Sequence, residues 1–160
     1  IVNFHFRSKR ELLHETLRFL SEEYRLHLQA MMDKAGAEPM ARLRALVVAD
    51  FHRNICSKRK LAAWLAFWGE AQARPTYQSF CGAHDADYHN TILGLMTELS
   101  KGHDEYKPEA MAHLLGAALD GLWLKMMFDA MSRAEAEAAA LESLKWLLPK
   151  QHPTRATASP

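Results

Sequence analysis

Apolar residues recur along this chain at intervals of three and four, while the strict alternation of a half-buried strand is almost absent. The pattern predicts an all-α fold. A first long helix opens at Ser8, where Ser8-Lys9-Arg10-Glu11 has capping-box spacing, and Leu12, Leu13, Leu17, Leu20, Tyr24 and Leu28 follow on one side until the pattern fades near Lys34. Pro39 is placed to be the first residue of the next helix, where its missing N–H costs nothing. Leu43, Leu46, Val47, Phe51 and Ile55 form the stripe of that helix. Ser57 reads as an N-cap for a helix carrying Leu61, Trp64, Leu65, Phe67 and Trp68, which the pair Arg74-Pro75 ends. Pro75 opens a helix running towards Ser100, and Gly102 breaks it. Pro108 opens another, expected to reach about Met131. Ser132-Arg133-Ala134-Glu135 is a second capping box, for a final helix that stops before Pro149.

The last two helices carry apolar residues on more than one side. Between Met111 and Phe128 they surround the helix; in the final one, Ala134, Ala138 and Leu141 lie on one side and Ala136, Ala140 and Leu147 on another. A surface helix needs a single apolar stripe, so two stripes imply two surfaces to pack against. One is the chain's own core. The other is either more of that core, with both helices central in a monomer, or a partner subunit.

Composition changes this picture little. The chain has 160 residues, 49% hydrophobic and 24% charged, enough to bury a substantial core. A formal net charge of +1 neither signals nor excludes nucleic-acid binding. The two cysteines, Cys56 and Cys81, form no paired motif, so reduced thiols and a cytoplasmic location are expected. No stretch is apolar enough to span a membrane: the most apolar run, Met111 to Met127, is interrupted by His113, Asp120 and Lys125.

The opening residues, Ile1-Val2-Asn3-Phe4-His5-Phe6-Arg7-Ser8-Lys9-Arg10-Glu11-Leu12-Leu13, resemble the end of the helix-turn-helix and the start of the fourth helix in the TetR family of bacterial repressors. Two further stretches resemble its BetI branch, the repressors of choline-to-glycine-betaine genes. They are Ala63-Trp64-Leu65-Ala66-Phe67-Trp68 followed by Pro75, and Ala118-Leu119-Asp120-Gly121-Leu122-Trp123-Leu124. The resemblance implies residues 1–7 as the end of a DNA-binding domain, 8–149 as a ligand-binding and dimerisation domain, and 150–160 as a flexible tail. It implies a homodimer joined through the last two helices of each subunit, with Leu115, Leu119, Leu122, Ala134, Ala138, Leu141 and Leu148 at the interface. By position it also implies phosphate contacts from Asn3, His5 and Lys9, although Asn3 stands where the family more often has Tyr. The family reads bases with a segment that would precede residue 1, so this stretch alone is not expected to bind an operator specifically.

Trp64, Phe67 and Trp68 fall at i, i+3 and i+4 and share a helix face. Tyr88 and Trp123, on later helices, are candidates to converge with them, and Asp85 or Asp120 could add a counter-charge. Aromatic faces attract a cation that has no hydrogen bonds to donate, which suits a quaternary ammonium such as choline or betaine aldehyde. Aromatics at helical spacing equally serve as plain core.

Other chemistries have thinner support. Cys81, His84, Asp85 and His89 sit on neighbouring turns and offer metal-ligand types, the basis for an alternative reading as a helical metal-binding protein or enzyme. Glu11-x-x-His14 has the spacing of one half of a di-iron site, but a second such motif is missing. No glycine-rich phosphate loop or nucleophile signature is present. The expectation is therefore a repressor whose ligand relieves repression, not an enzyme, with no cofactor and no metal.

Overall fold

A computed structural model describes residues 9–71 and 75–149, with the side chains of 9, 10, 70, 71, 75–77, 79 and 80 outside that description. Among the described residues there are six helices and no strand: α1 Lys9–Lys34, α2 Pro39–Asp50, α3 Lys58–Ala71, α4 Pro75–Leu99, α5 Pro108–Met127 and α6 Arg133–Leu147. The fold is all-α, as the periodicity implies.

Local chemistry explains most of the boundaries. Pro39, Pro75 and Pro108 each open a helix. The Glu38 carboxylate accepts from the backbone N–H of Met40 and of Ala41, capping α2. The second capping box is complete: the Ser132 hydroxyl accepts from the Glu135 N–H, and the Glu135 carboxylate accepts from the Ser132 N–H. The first box falls partly on residue 8, outside the described residues, as do the expected segments 1–7 and 150–160.

Two helices end earlier than their apolar patterns suggest. α2 stops at Asp50, and the His52 N–H bonds back only three residues, to the Ala49 carbonyl. Phe51 and Ile55 are therefore in the following turn and not on the helix, yet both are buried. α5 stops at Met127, short of Met131. Its end is a Schellman turn: the Asp129 N–H reaches the Met126 carbonyl, the Ala130 N–H reaches Lys125, and Asp129 takes a left-handed φ of 54°. That place is usually filled by glycine, which is why the sequence carries no stop signal there.

α4 is the central element. It packs against α1, α2, α3 and α5, while α6 lies across α5 and α2. Leu43, Leu46, Phe51, Ile92, Met96, Leu115 and Leu144 fill the core where these helices meet. Polar ties fix the α2–α3 turn to its surroundings. The Lys60 ammonium bonds both Glu23 on α1 and the Asn54 carbonyl. Arg133, at the start of α6, donates to the Phe51 carbonyl over 3.1 Å.

Candidate ligand-binding site

Tyr24 projects from the middle of α1, Asp50 is the last residue of α2, Trp64 and Trp68 lie one turn apart on α3, Tyr88 is on α4 and Trp123 on α5. The five helices bring these residues around a cavity of about 430 Å³, within the range of roughly 300–1,000 Å³ usual for small-molecule sites. His84, Asp85 and His89 of α4 and His113 and Asp120 of α5 complete the polar part of its wall.

The aromatic part is tightly organised. The Trp68 and Trp123 rings are nearly parallel, 14° apart in plane with centroids 6.0 Å apart, so they stack on each other and form one wall. Tyr24 meets Trp64 at 6.5 Å and Trp123 at 6.3 Å, both edge-to-face, and lies 6.0 Å from Tyr88. A cation in this space would see several ring faces, each worth roughly 0.5–2 kcal/mol depending on desolvation.

The polar part sets three carboxyls, Asp50, Asp85 and Asp120, beside three histidines. Asp50 is only 3% exposed, and its two oxygens accept from the Tyr24 and Tyr88 hydroxyls, each at 2.5 Å. Burial pushes its carboxyl up to about 7; the two tyrosine bonds oppose the rise and the Asp120 charge adds to it. Asp120 keeps an exposed surface, but the concave wall around it also raises its carboxyl above the usual range, with Asp85 contributing. No Lys or Arg lines this cavity among the described residues.

Six of the seven residues expected at a ligand site therefore line one cavity: Trp64, Trp68, Asp85, Tyr88, Asp120 and Trp123. Phe67 does not; it is buried in the core beside them. Tyr24 and Asp50 are additions that the sequence pattern did not single out as site residues. The potential metal ligands part company: Cys81 is buried in the core, whereas His84, Asp85 and His89 face the cavity. Among the described residues no group of three or more His, Cys, Asp or Glu is placed to hold a metal ion. Cys56 and Cys81 are not disulfide-bonded, and burial pushes the Cys56 thiol up to about 11.

Residues 39–149 match the family model described as "BetI-type transcriptional repressor, C-terminal". The chain belongs to this family. It is an all-α regulator of the BetI branch of TetR-type transcriptional repressors. It is 28% identical over 145 residues to the HTH-type transcriptional regulator BetI of Serratia proteamaculans, covering 88% of this chain and 70% of that protein. It is 30% identical over 125 residues to BetI of Burkholderia mallei, covering 78% of this chain and 63% of that protein. In fold it is similar to a putative transcriptional regulator from Pseudomonas aeruginosa, with a TM-score of 0.76 at 24% identity over 91% of this chain and 72% of that one. It is also similar to a putative TetR-family regulator from Rhodococcus, with a TM-score of 0.69 at 14% identity over 92% and 79%.

Asn3 and His5 fall outside the described residues; Lys9 is the first residue of α1, with its side chain outside the description. Of the residues expected at a subunit interface, Leu115, Leu119 and Leu148 are taken up by the chain's own core. Leu122 and Leu141 are half-buried, and Ala134 and Ala138 are exposed. The exposed large apolar side chains here are Leu114 and Leu124 of α5, Phe128 at its C-cap and Trp146 of α6; Phe128 is 76% and Trp146 83% exposed. No helix among the described residues is long and apolar enough to cross a membrane.

Proposed function

We propose that this BetI-type regulator is a ligand-responsive repressor whose aromatic cavity takes a small quaternary ammonium compound of the choline or betaine aldehyde class, and that occupancy relieves repression. The observation that carries this reading is the composition of one wall system. Tyr24, Trp64, Trp68, Tyr88 and Trp123 offer ring faces, Asp50, Asp85 and Asp120 offer negative charge, and no Lys or Arg lines the same space among the described residues. A quaternary ammonium has a charge but no N–H. Ring faces and nearby carboxylates stabilise it without leaving a donor unsatisfied.

Coupling to DNA runs through α1 in this reading. Tyr24 belongs both to the cavity wall and to α1, whose first turns adjoin the segment that resembles the end of a recognition helix. A ligand shifts the arrangement of two DNA-binding domains only if it binds one arrangement better than the other. The second copy is supplied by a homodimer joined through the outward sides of α5 and α6, which carry the half-buried Leu122 and Leu141 and the exposed Ala134, Ala138, Leu124 and Phe128.

Tryptophan fluorescence tests the ligand class. Trp146 is far out in solvent, so a Trp146→Phe variant leaves the emission to Trp64, Trp68 and Trp123, all of which line the cavity. Titration with choline or betaine aldehyde should give a saturable change. A folded protein whose emission does not respond to either would remove the quaternary ammonium reading.

A further inference from the structure

Asp50 is a carboxyl at the end of an otherwise apolar run, Leu46-Val47-Val48-Ala49, almost fully withdrawn from solvent. Ionising such a group is costly unless charge or hydrogen bonds compensate. Two hydroxyls do so in part, Tyr24 from α1 and Tyr88 from α4. The charged and titratable groups around it are identifiable on each packed element. From α4, His84, Asp85 and His89 face the cavity; from α5, His113 and Asp120 do. From α6, Arg133 stands near Cys56 but is held by the Glu137 carboxylate and the Phe51 carbonyl. Arg25 of α1 and Arg42 of α2 line an adjoining cavity of about 210 Å³ that shares Tyr24, His84 and Tyr88. Among the described residues Asp50 thus has donors but no ion-pair partner, and it forms part of the wall of an aromatic cavity.

We propose that Asp50, held between Tyr24 and Tyr88, is the counter-charge for the cavity's ligand, and that a ligand with a fixed positive charge binds with release of a proton from the Asp50 carboxyl to solvent. This rests on the cation reading of the cavity and adds to it a residue and a regulation: affinity follows pH. A bound cation favours the ionised carboxylate, and binding that requires the ionised form weakens once the pH falls below the group's titration point. With that point near 7, the cavity holds a permanent cation about tenfold more tightly at pH 8 than at pH 6. The ligand itself does not titrate, so the dependence belongs to the protein.

The test is calorimetric titration of the whole chain with tetramethylammonium chloride between pH 6 and pH 8.5, in buffers of low and high ionisation enthalpy. The expected result is the tenfold gain in affinity, with a buffer-dependent heat near pH 7 that corresponds to about half a proton released per ligand. Tyr24→Phe and Tyr88→Phe each remove one bond that holds the Asp50 carboxyl down, so each moves the affinity gain to higher pH. Asp50→Asn, checked for helix content by circular dichroism, loses the buffer-dependent heat and binds at least tenfold more weakly at pH 8. Equal affinity at pH 6 and pH 8 without buffer-dependent heat, or a profile that both Tyr→Phe variants leave in place, overturns the Asp50 assignment while the cation reading stands. No tetramethylammonium binding at any pH overturns both.

Discussion

Asp50→Asn keeps the shape of a buried side chain and removes its ability to ionise. The folded protein holds the Asp50 carboxyl at about 7 against an ordinary value of 3.8. Between those two values the folded state binds the proton more strongly than the unfolded chain does. The stability this contributes is complete below about pH 4 and is lost as the pH rises through about 7. The distance from 3.8 to about 7, at about 1.4 kcal/mol for each pH step, sets a ceiling of about 4 kcal/mol on the loss. Asparagine removes that loss and introduces a smaller one. Its oxygen can still accept from one tyrosine hydroxyl, but its amide must donate to the other, and a re-formed neutral bond is worth about 1 kcal/mol less than the original. The variant should therefore be slightly less stable than the parent near pH 4 and more stable by about 3 kcal/mol near pH 8. Urea denaturation followed by circular dichroism, at one fixed protein concentration so that self-association does not intrude, measures both. The difference between the two proteins must grow with pH through this window. A difference that is constant with pH, or a variant that is weaker at pH 8 than at pH 4 relative to the parent, would show that the buried Asp50 carboxyl does not hold its proton as described.

Other consequences are more local. Ser132→Ala removes the hydroxyl half of the α6 capping box and should cost about 1 kcal/mol in thermal or urea unfolding; an unchanged midpoint would contradict the cap's role. Asp129→Gly relieves the left-handed φ of 54° at the end of α5 and should stabilise by about 0.5–1 kcal/mol. The Lys58–Asp129 ion pair is exposed on both sides and offsets little of that; a clear loss of stability would show that the pair matters more than the backbone. Phe128→Glu alters a side chain that is 76% exposed. It should leave the monomer's fold intact and raise the dissociation constant of the proposed homodimer at least tenfold in sedimentation experiments, the order expected from placing a charge where apolar surfaces meet. An unaltered association would move the interface away from α5.

Much of the helical framework is legible from short-range chemistry. Proline at the first helical position and the Ser132-to-Glu135 box act within four residues, so they appear in the sequence as they act in the structure. The ends of α2 and α5 are less legible. Phe51 and Ile55 continue a helical spacing although the backbone has already turned, and Asp129 performs a turn usually marked by glycine. The site divides the same way. Trp64 and Trp68 share a helix face by spacing alone, and both line the cavity; Phe67, on the same helix, turns into the core. Asp50 escaped because its partners are 26 and 38 residues away in sequence. A signal was present: a single carboxylate inside Leu46-Val47-Val48-Ala49-Asp50-Phe51 is out of place unless something pairs with it. The two-sided pattern of α5 and α6 is real, with Ala136, Ala140, Leu115 and Leu119 turned inward and Ala134, Ala138, Leu114 and Phe128 turned outward. Spacing alone does not say which side of α5 meets the core, and Leu115 and Leu119 belong to that side.

Charge discrimination by the cavity is the most direct measure of the account. Choline and 3,3-dimethylbutan-1-ol have nearly the same shape, and only choline is positively charged. Ring faces, Asp50, Asp85 and Asp120 together should favour choline by at least a hundredfold in dissociation constant, equivalent to about 3 kcal/mol. Equal binding of the two, or tighter binding of the neutral alcohol, would mean that the cavity selects by shape and apolar surface, and that its acidic wall serves the fold and not a ligand.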